Sequence, residues 1–586
     1  MSSVMKYADL AALYESLEST PKRLEKTAIL AKVLKEIPKE ELRQVMYLVQ
    51  GTVFPPWSSQ KVGIAERLVI KAMQLSFGET EQAIENLWRE SGDLGDVALT
   101  ISSKKKQATL FSEHLTIKKV FDNIEKCAAF EGSGTVDRKI QLMAELLTSA
   151  SESEARYLVR TFLGQLRAGL GEGTIRDAIG WAFLIQVPFN PEKGVIDFKE
   201  DDRTVYDSVI ERVQAAMDIT CDSAEVALLV KENGIEGLHR VSLLPGRPVR
   251  VMLFQKASGL ADAFSIVGKP AFIEFKYDGF RMQIHKIKDG VKIFTRRLEE
   301  VTSQFPDVAA VIAKNVAADS FILDAEAVGI DLKSRHYLPF QHISQRIKRK
   351  YGIDDMAAKF PVEIRVFDLL FLNGESLLGQ SYQCRRKAIE NLVPNIPGCI
   401  APANAIFTEN EHEAEGFYQA GLKEGMEGVM AKCAGSPYQP GSRVGFGVKV
   451  KPVMDTLDLV IVRSEWGEGK RAGWLTSFTL ACRDKDGNFL EIGNVGTGFK
   501  EKPEEGTAFS DMTNLLKPLI LEEQGREVIV KPQVVMEIKF EEIQQSPTYG
   551  SGFALRFPRL VQIREDKPPD EVSTIEDVKR LFLQQR

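Results

Sequence analysis

Cysteine is scarce in this sequence. The chain of 586 residues contains 6 cysteines, and no two of them form a C-x-x-C pair. Zinc ribbons and thioredoxin-like redox centres depend on such pairs, so the sequence supports neither. Isolated cysteines in a long chain are typical of buried thiols in a reducing compartment. The six are Cys127, Cys221, Cys384, Cys399, Cys433 and Cys482.

Long apolar runs and an excess of positive charge are also missing. No run approaches the roughly 18–20 apolar residues that span a bilayer, and Met1 to Glu18 carries acidic residues where a signal peptide would be apolar. We therefore expect a cytoplasmic protein without membrane spans. The formal net charge of −6 excludes a globally basic nucleic-acid coat. It leaves local basic surfaces open, because phosphate binding depends on where the charge lies.

The sequence changes character twice, which predicts three domains. Residues 1–240 are expected to be all-α, because apolar residues recur three and four positions apart, as in Tyr7 to Leu17. Residues 241–452 mix strand-like runs with helical segments, which indicates an α+β domain. Residues 453–586 contain short strand-like runs separated by turns, which favours a small β-barrel.

Two glycine-containing turns interrupt the helical region. They run from Glu131 to Thr135 and from Arg167 to Thr174, and each precedes a helical pattern. The N–H groups at a helix N-terminus, approached through glycine, form a suitable place for a phosphate. An ordinary turn between two helices explains the same residues.

Lys276 is the strongest chemical candidate. It ends a strand-like run and is followed by the tight turn Asp278-Gly279. An amine held in this way suits nucleophilic attack on phosphorus. Alone the K-x-D-G pattern is weak evidence, because a chain of this length has about a one-in-ten chance of containing it.

The order of the motifs after Lys276 strengthens the hypothesis. Lysine would attack, carboxylates would hold a divalent metal, an aromatic ring would stack on a base, and further cations would bind phosphates. Each motif alone can be explained as surface charges or core residues. All of them in this order would arise by chance far less often than any one of them. The motifs are Asp324-Ala325-Glu326, Val366-Phe367-Asp368, Glu427 to Lys432, and Lys449-Val450-Lys451.

With these motifs the sequence resembles the ATP-dependent DNA ligases of the archaeal and eukaryotic replicative type, over essentially the whole chain. Capping enzymes and RNA ligases share the lysine motifs. The helical N-terminal region and the segments that begin at Arg167, Trp466 and Arg556 are typical of DNA ligases. The resemblance implies an all-α DNA-binding domain, an α+β nucleotidyltransferase (adenylation) domain and a C-terminal OB-fold β-barrel.

The resemblance also implies a reaction and its participants. AMP passes from ATP to Lys276, then to the 5′-phosphate of nicked double-stranded DNA, and the 3′-hydroxyl finally displaces it. ATP and Mg²⁺ are the expected cofactors, and the enzyme is expected to be a monomer active in replication, repair and recombination. Rival interpretations are an RNA-end or capping nucleotidyltransferase and a catalytically inactive relative that binds nucleic acid.

Individual roles follow from the same resemblance. Phe367 is expected to stack on the adenine and Glu274 to read its edge. Near Arg443 the chain departs from the family, because Val444 to Val448 replaces a tryptophan-rich stretch. The remaining expected roles are nucleotide contacts by Arg281, Arg296 and Arg443, ribose or metal contacts by Glu326 and Glu427, and contacts to the α-phosphate by Lys449 and Lys451.

A further candidate lies in the helical region. Gln107, Leu110 and Phe111 follow three lysines and resemble the peptide by which replication enzymes bind a sliding clamp. An exposed loop with two buried apolar side chains explains these residues equally well.

Overall fold

The computed structural model describes residues 5–60, 62, 64–103, 114–130, 134–288, 290–338, 340–347, 351–452, 456–467, 471 and 473–585. The chain forms two compact units, Met1–Val450 and Lys451–Arg586. The predicted domain limits at residues 240/241 and 452/453 stay predictions. Within the described ranges no helix is long and apolar enough to cross a membrane. The predicted clamp residues Gln107, Leu110 and Phe111 lie outside these ranges.

Helices dominate the first part of the larger unit. Apolar side chains at helical spacing, including Leu10, Tyr14, Leu30 and Tyr157, meet in one core. The helices are α1 (Tyr7–Glu18), α2 (Arg23–Glu36), α3 (Lys39–Leu48), α4 (Glu66–Phe77), α5 (Glu81–Ser91), α6 (Leu94–Ser102), α7 (Ile117–Ala129), α8 (Val136–Ser149), α9 (Glu152–Phe162), α10 (Glu172–Phe183), α11 (Glu200–Thr220), α12 (Ser223–Asn233) and α13 (Ile235–His239). A short strand pair, β1 (Phe189–Asn190) and β2 (Val195–Ile196), interrupts them, which the all-α prediction did not include.

A lysine side chain of α2 stabilises the turn that precedes α10. Arg167 and Gly169 take positive φ angles of 58° and 66°, and the Lys26 ammonium donates a 2.7 Å hydrogen bond to the carbonyl of Ala168. α10 then begins at Glu172, within the last residues of the predicted turn. The other predicted turn includes residues 131–133, which lie outside the described ranges.

The described residues in the rest of the larger unit form two sheets and six α-helices. The strands are β3 (Leu253–Lys256), β4 (Ala271–Lys276), β5 (Phe280–Ile287), β6 (Gly290–Thr295), β7 (Phe321–Ile330), β8 (Tyr337–Leu338), β9 (Val362–Leu372), β10 (Glu375–Ser376), β11 (Ile400–Pro402), β12 (Ala405–Thr408), β13 (Gly428–Cys433) and β14 (Arg443–Val450). The helices are α14 (Leu260–Val267), α15 (Pro306–Asn315), α16 (Phe340–Ile347), α17 (Ile353–Lys359), α18 (Tyr382–Leu392) and α19 (Glu411–Lys423). One sheet has the order β12-β4-β13-β14-β3, and the other has β10-β9-β7-β5-β6 with β11 beside β9 and β8 beside β7.

The smaller unit is rich in β-strands. Its main sheet has the order β17-β16-β15-β19-β18, and β20 links β15 to β23. Its strands are β15 (Leu457–Trp466), β16 (Leu475–Arg483), β17 (Phe489–Val495), β18 (Ile520–Gln524), β19 (Glu527–Val530), β20 (Val535–Lys539), β21 (Glu542–Gln545), β22 (Phe553–Arg556) and β23 (Arg559–Ile563), with α20 (Phe509–Leu516) and α21 (Ile575–Gln584). Inward residues such as Leu459, Phe478 and Met536 form its core.

Candidate active site

Lys276 lies at the end of β4 and is tied to the neighbouring strand. The backbone N–H of Glu427 donates a 2.8 Å hydrogen bond to the carbonyl of Lys276, and Lys276 pairs in register with Gly428. The Lys276 ammonium also forms an ion pair with the Glu427 carboxylate. The same carboxylate residue therefore fixes both the backbone and the side chain of the predicted nucleophile.

Strand alternation places three predicted residues on one face of this sheet. Glu274 pairs with Met430, and Met430 pairs with Lys449. Residues directly opposite one another project from the same face, and so does Lys276, two positions after Glu274. The intervening residues, such as Phe275 and Val429, face the opposite way into an apolar core.

The other sheet contributes a buried ion pair. Asp324 accepts hydrogen bonds from the Arg281 guanidinium at 3.0 and 2.6 Å and a third from the Tyr438 hydroxyl at 2.9 Å. Burial disfavours the charged form of Arg281, but the Asp324 carboxylate favours it more strongly. The pKa of the guanidinium therefore lies above its usual range. Arg281 is therefore a permanent positive charge with a fixed orientation.

Glu326 has an unusual environment for a carboxyl group. It pairs in register with Arg281. Burial raises its pKa to about 8, against the lowering effect of the nearby Lys276 and Arg281 charges. At neutral pH a group with such a pKa is mostly protonated, and a further positive charge beside it would favour the ionised form.

Phe367 occupies an irregular position in β9. Asp324 pairs with Asp368 and Ala325 with Val366, so Phe367 is the extra residue of a β-bulge. A bulge redirects a side chain out of the regular alternation. The Arg281 guanidinium lies 5.3 Å from the centre of the Phe367 ring, and the Lys432 ammonium lies 5.2 Å from it. The ring therefore lies where groups from both sheets meet.

Three other predicted residues are exposed or lie beyond the end of a strand. Arg296 and Arg443 are exposed. The register of β14 against β3 shifts between Val444 and Val448, where the sequence departs from the family. β14 ends at Val450, so Lys449 lies within the strand and Lys451 follows its end. Lys451 belongs to the smaller unit and forms a 2.9 Å ion pair with Glu541.

Glu274 has partners for which the sequence predicted no role. Its carboxylate contacts the Lys432 ammonium at 2.5 Å and accepts a hydrogen bond from the Tyr382 hydroxyl. The sequence contains a signal for Lys432. Gly428, Met430 and Lys432 alternate with the apolar residues Val429 and Ala431, so strand periodicity places Lys432 on the same face as Met430. Tyr382 comes from α18, a distant segment that no local pattern connects with β4.

Gly279 allows the turn between β4 and β5 to pass close to β7, three residues after Lys276. A Cβ atom there would lie 2.6 Å from the Ala327 carbonyl oxygen and 2.6 Å from Cγ of Glu326. We expect Gly279→Ala to destabilise this domain by about 1–3 kcal/mol through overpacking. It should also slow any chemistry at Lys276, because Glu326 and β7 must move. Unfolding curves and the rate of covalent labelling by ATP measure the two effects.

Gly435→Ala is the matched control. A Cβ atom at Gly435 would have no neighbour within 4 Å, so this variant should behave like the unchanged protein. Equal stability and equal labelling of the Gly279 and Gly435 variants would contradict the close approach.

Family models match the chain in three places. The description "DNA ligase N terminus" applies to residues 6–180, "ATP dependent DNA ligase domain" to residues 251–451, and "ATP dependent DNA ligase C terminal region" to residues 471–567. Together they cover more than half of the sequence.

Relatives match over the full length. A DNA ligase of Nanoarchaeum equitans is 46% identical over 585 residues, which are 99% of this chain and 99% of the relative. A DNA ligase of Thermococcus fumicolans is 41% identical over 586 residues, with 99% of each chain covered. A solved structure described as Pmar-Lig_PreS3 covers 94% of this chain and 99% of its own, with a TM-score of 0.55 and 16% identity. That last likeness concerns the fold alone.

The matches confirm the predicted fold class: a helical N-terminal region, a nucleotidyltransferase domain and a C-terminal domain of the OB-fold type. They also favour a DNA ligase over the capping and RNA-end alternatives, because the matched models include the DNA ligase N terminus. The chain belongs to the family of ATP-dependent DNA ligases, enzymes that form phosphodiester bonds.

Proposed function

We propose that this ligase takes AMP from ATP onto Lys276, passes it to the 5′-phosphate at a nick in duplex DNA, and seals the nick. The observation that carries the proposal is the position of the Lys276 ammonium beside Glu427. It lies on the sheet face that also carries Glu274 and Lys449. No other lysine combines such a carboxylate partner with a tight Asp-Gly turn in the described part of the chain.

In the first step a nitrogen–phosphorus bond forms between Lys276 Nζ and the α-phosphorus, and the bond from phosphorus to pyrophosphate breaks. The amine must lose a proton before it can attack. Glu427 is placed to hold that proton, because its carboxylate already contacts Nζ. In the second step the 5′-phosphate of DNA displaces the lysine, and in the third the 3′-hydroxyl displaces AMP.

Phosphoryl transfer depends mainly on positioning and on charge stabilisation. Arg281 and Lys449 would supply positive charge to the phosphates, with Arg281 oriented in advance by Asp324. Phe367 would stack on the adenine, and Glu274 would read its edge. Arg296 and Arg443 are exposed and would reach the nucleotide or the DNA from the surface.

A magnesium ion fits this site when the nucleotide is present. Mg²⁺ is usually bound by one or two carboxylates together with substrate phosphates. Glu326 and Glu427 would supply the two carboxylates. In the described ranges no group of three or more His, Cys, Asp or Glu side chains is arranged to hold a metal, so the phosphates would complete the coordination. The bound ion would neutralise phosphate charge during transfer.

Covalent labelling tests this function. The full chain is incubated with ATP, GTP or NAD, each labelled in the phosphate that becomes part of the adduct, and then denatured. We expect a stable adduct with ATP alone, and transfer of the label to nicked DNA in a chase. A catalytically inactive relative would bind nicked DNA without forming an adduct, and a capping enzyme would be labelled by GTP.

Binding to the nick should depend steeply on salt. The chain has a net charge of −6, so DNA phosphates must be bound by local groups such as those at the turn from Arg167 to Thr174. Released counterions then make affinity fall with salt. We expect nick affinity to drop by more than about a hundredfold between about 50 and 200 mM salt. Adenylation of the same protein without DNA is the control and should change little; a flat affinity would contradict the proposal.

A sliding clamp would bind through Gln107, Leu110 and Phe111, on the strength of their sequence pattern. The enzyme would act as a cytoplasmic monomer.

A further inference from the structure

Glu274 is a buried carboxylate surrounded by donors. Its side chain is only 2% exposed, yet it ends no strand and caps no helix. The Lys432 ammonium contacts one of its oxygens at 2.5 Å, and the Tyr382 hydroxyl donates to the other. A guanidinium nitrogen of Arg386 lies 3.6 Å from that second oxygen. Burying so many polar groups together is costly unless each has its partner.

Lys432 joins this carboxylate to the ring of Phe367. Its ammonium lies 4.4 Å from the centre of the Tyr382 ring and 5.2 Å from that of Phe367. It also lies 3.2 Å from the Tyr382 hydroxyl and 3.4 Å from the Phe367 carbonyl oxygen. The side chain is 5% exposed, so this ammonium is too deep to meet a phosphate or bulk solvent. Its contacts hold Glu274 and Phe367 in one fixed unit.

The helix that carries Tyr382 is itself anchored beside Phe367. Arg385, one turn along α18, is fully buried and donates to Asp368 at 2.7 and 3.2 Å. Asp368 is the residue that follows the bulge at Phe367. Helix α18 therefore positions the Tyr382 hydroxyl with respect to the bulge rather than leaving it free to turn.

We propose that Lys432 and Tyr382 are positioning residues that determine which purine the ligase accepts, by fixing the orientation of Glu274 beside the Phe367 ring. This inference rests on the proposed function. A carboxylate accepts hydrogen bonds and donates none. Held in one orientation, it accepts from a 6-amino group and repels the oxygen of a 6-oxo purine. A carboxylate free to turn would instead accept from the N1–H of a 6-oxo purine, and selectivity would be lost.

ATP and ITP test this idea. ATP carries a 6-amino group and an unprotonated N1, whereas ITP carries a 6-oxo group and an N1–H. For the full chain we expect the ratio of adenylation specificity constants, ATP over ITP, to be at least about a hundred. In Lys432→Met and in Tyr382→Phe that ratio should fall at least about tenfold, because one donor that orients Glu274 is gone. Lys314→Met and Tyr418→Phe make the same changes in α15 and α19 and should keep the ratio.

The ratio distinguishes positioning from a general loss of structure, because damage to the fold lowers both rates together. Should Lys432→Met fold poorly, the double variant Glu274→Gln/Lys432→Met removes both buried charges. Its glutamine can donate as well as accept, so its ratio should approach one. An unchanged ratio in both Tyr382→Phe and the double variant, with adduct still formed at Lys276, would overturn the inference and leave the proposed function standing. Absence of adduct with every nucleotide in the unchanged protein would overturn both.

Discussion

Lys276→Arg is expected to abolish the covalent enzyme–AMP adduct, with a loss of more than about ten-thousandfold in its rate of formation. The attacking nitrogen must be a neutral amine, and a guanidinium does not lose its proton in a protein. The arginine can keep an ion pair with Glu427, so the charge balance of the site survives while the nucleophile is lost. Labelling with ATP and separation of the denatured protein measure the effect.

The same variant should still seal a nick that already carries AMP on its 5′-phosphate. In that step the 3′-hydroxyl attacks, and Lys276 forms no bond. Sealing of this substrate by Lys276→Arg therefore serves as the control for folding and for DNA binding. Lys314→Arg, an exposed lysine of α15, should form the adduct at the normal rate. Adduct formation by Lys276→Arg would show that another residue is the nucleophile.

The sequence predicts the sheet that carries Lys276 because that sheet obeys a local rule. In β4 the residues Ile273 and Phe275 are buried, and Glu274 and Lys276 alternate with them. The same period of two places Lys449 on this face once its strand is aligned. Alternation therefore suffices to place Lys276, the proposed nucleophile, and Lys449, a proposed phosphate contact, on one face.

The environment of Glu274 and the orientation of Phe367 could not be predicted in this way. Phe367 belongs to an apolar run, and only the pairing of β9 with β7 shows that it is the extra residue of a bulge. Tyr382 lies 108 positions from Glu274 along the chain, so its contact is set by how α18 packs. The sequence also could not predict that β14 ends before Lys451. That end is set by strand pairing, because β13 pairs with β14 only as far as Val450.

Asp324→Asn is expected to cost about 3–5 kcal/mol of stability in the sheet that contains β7. Asp324 is fully buried, and the Arg281 side chain is only 22% exposed. An asparagine cannot accept both guanidinium hydrogen bonds and the one from Tyr438, so a buried positive charge would be left without compensation. Arg281 would also lose its orientation toward the Phe367 ring, which should slow adenylation by more than about a hundredfold. Hydrogen exchange of β7 peptides measures the stability of this sheet.

The control makes the same change at an exposed position just before the same strand. Asp319→Asn should alter neither hydrogen exchange nor adenylation, because that side chain is exposed. The double variant Asp324→Asn/Arg281→Met also removes the uncompensated positive charge. It should regain part of the lost stability but none of the activity. That separation is the decisive result, because it assigns the stability loss to an uncompensated charge and the activity loss to the lack of a correctly oriented guanidinium. If the double variant is no more stable than Asp324→Asn, the cost comes from packing around β7 and the electrostatic account is wrong.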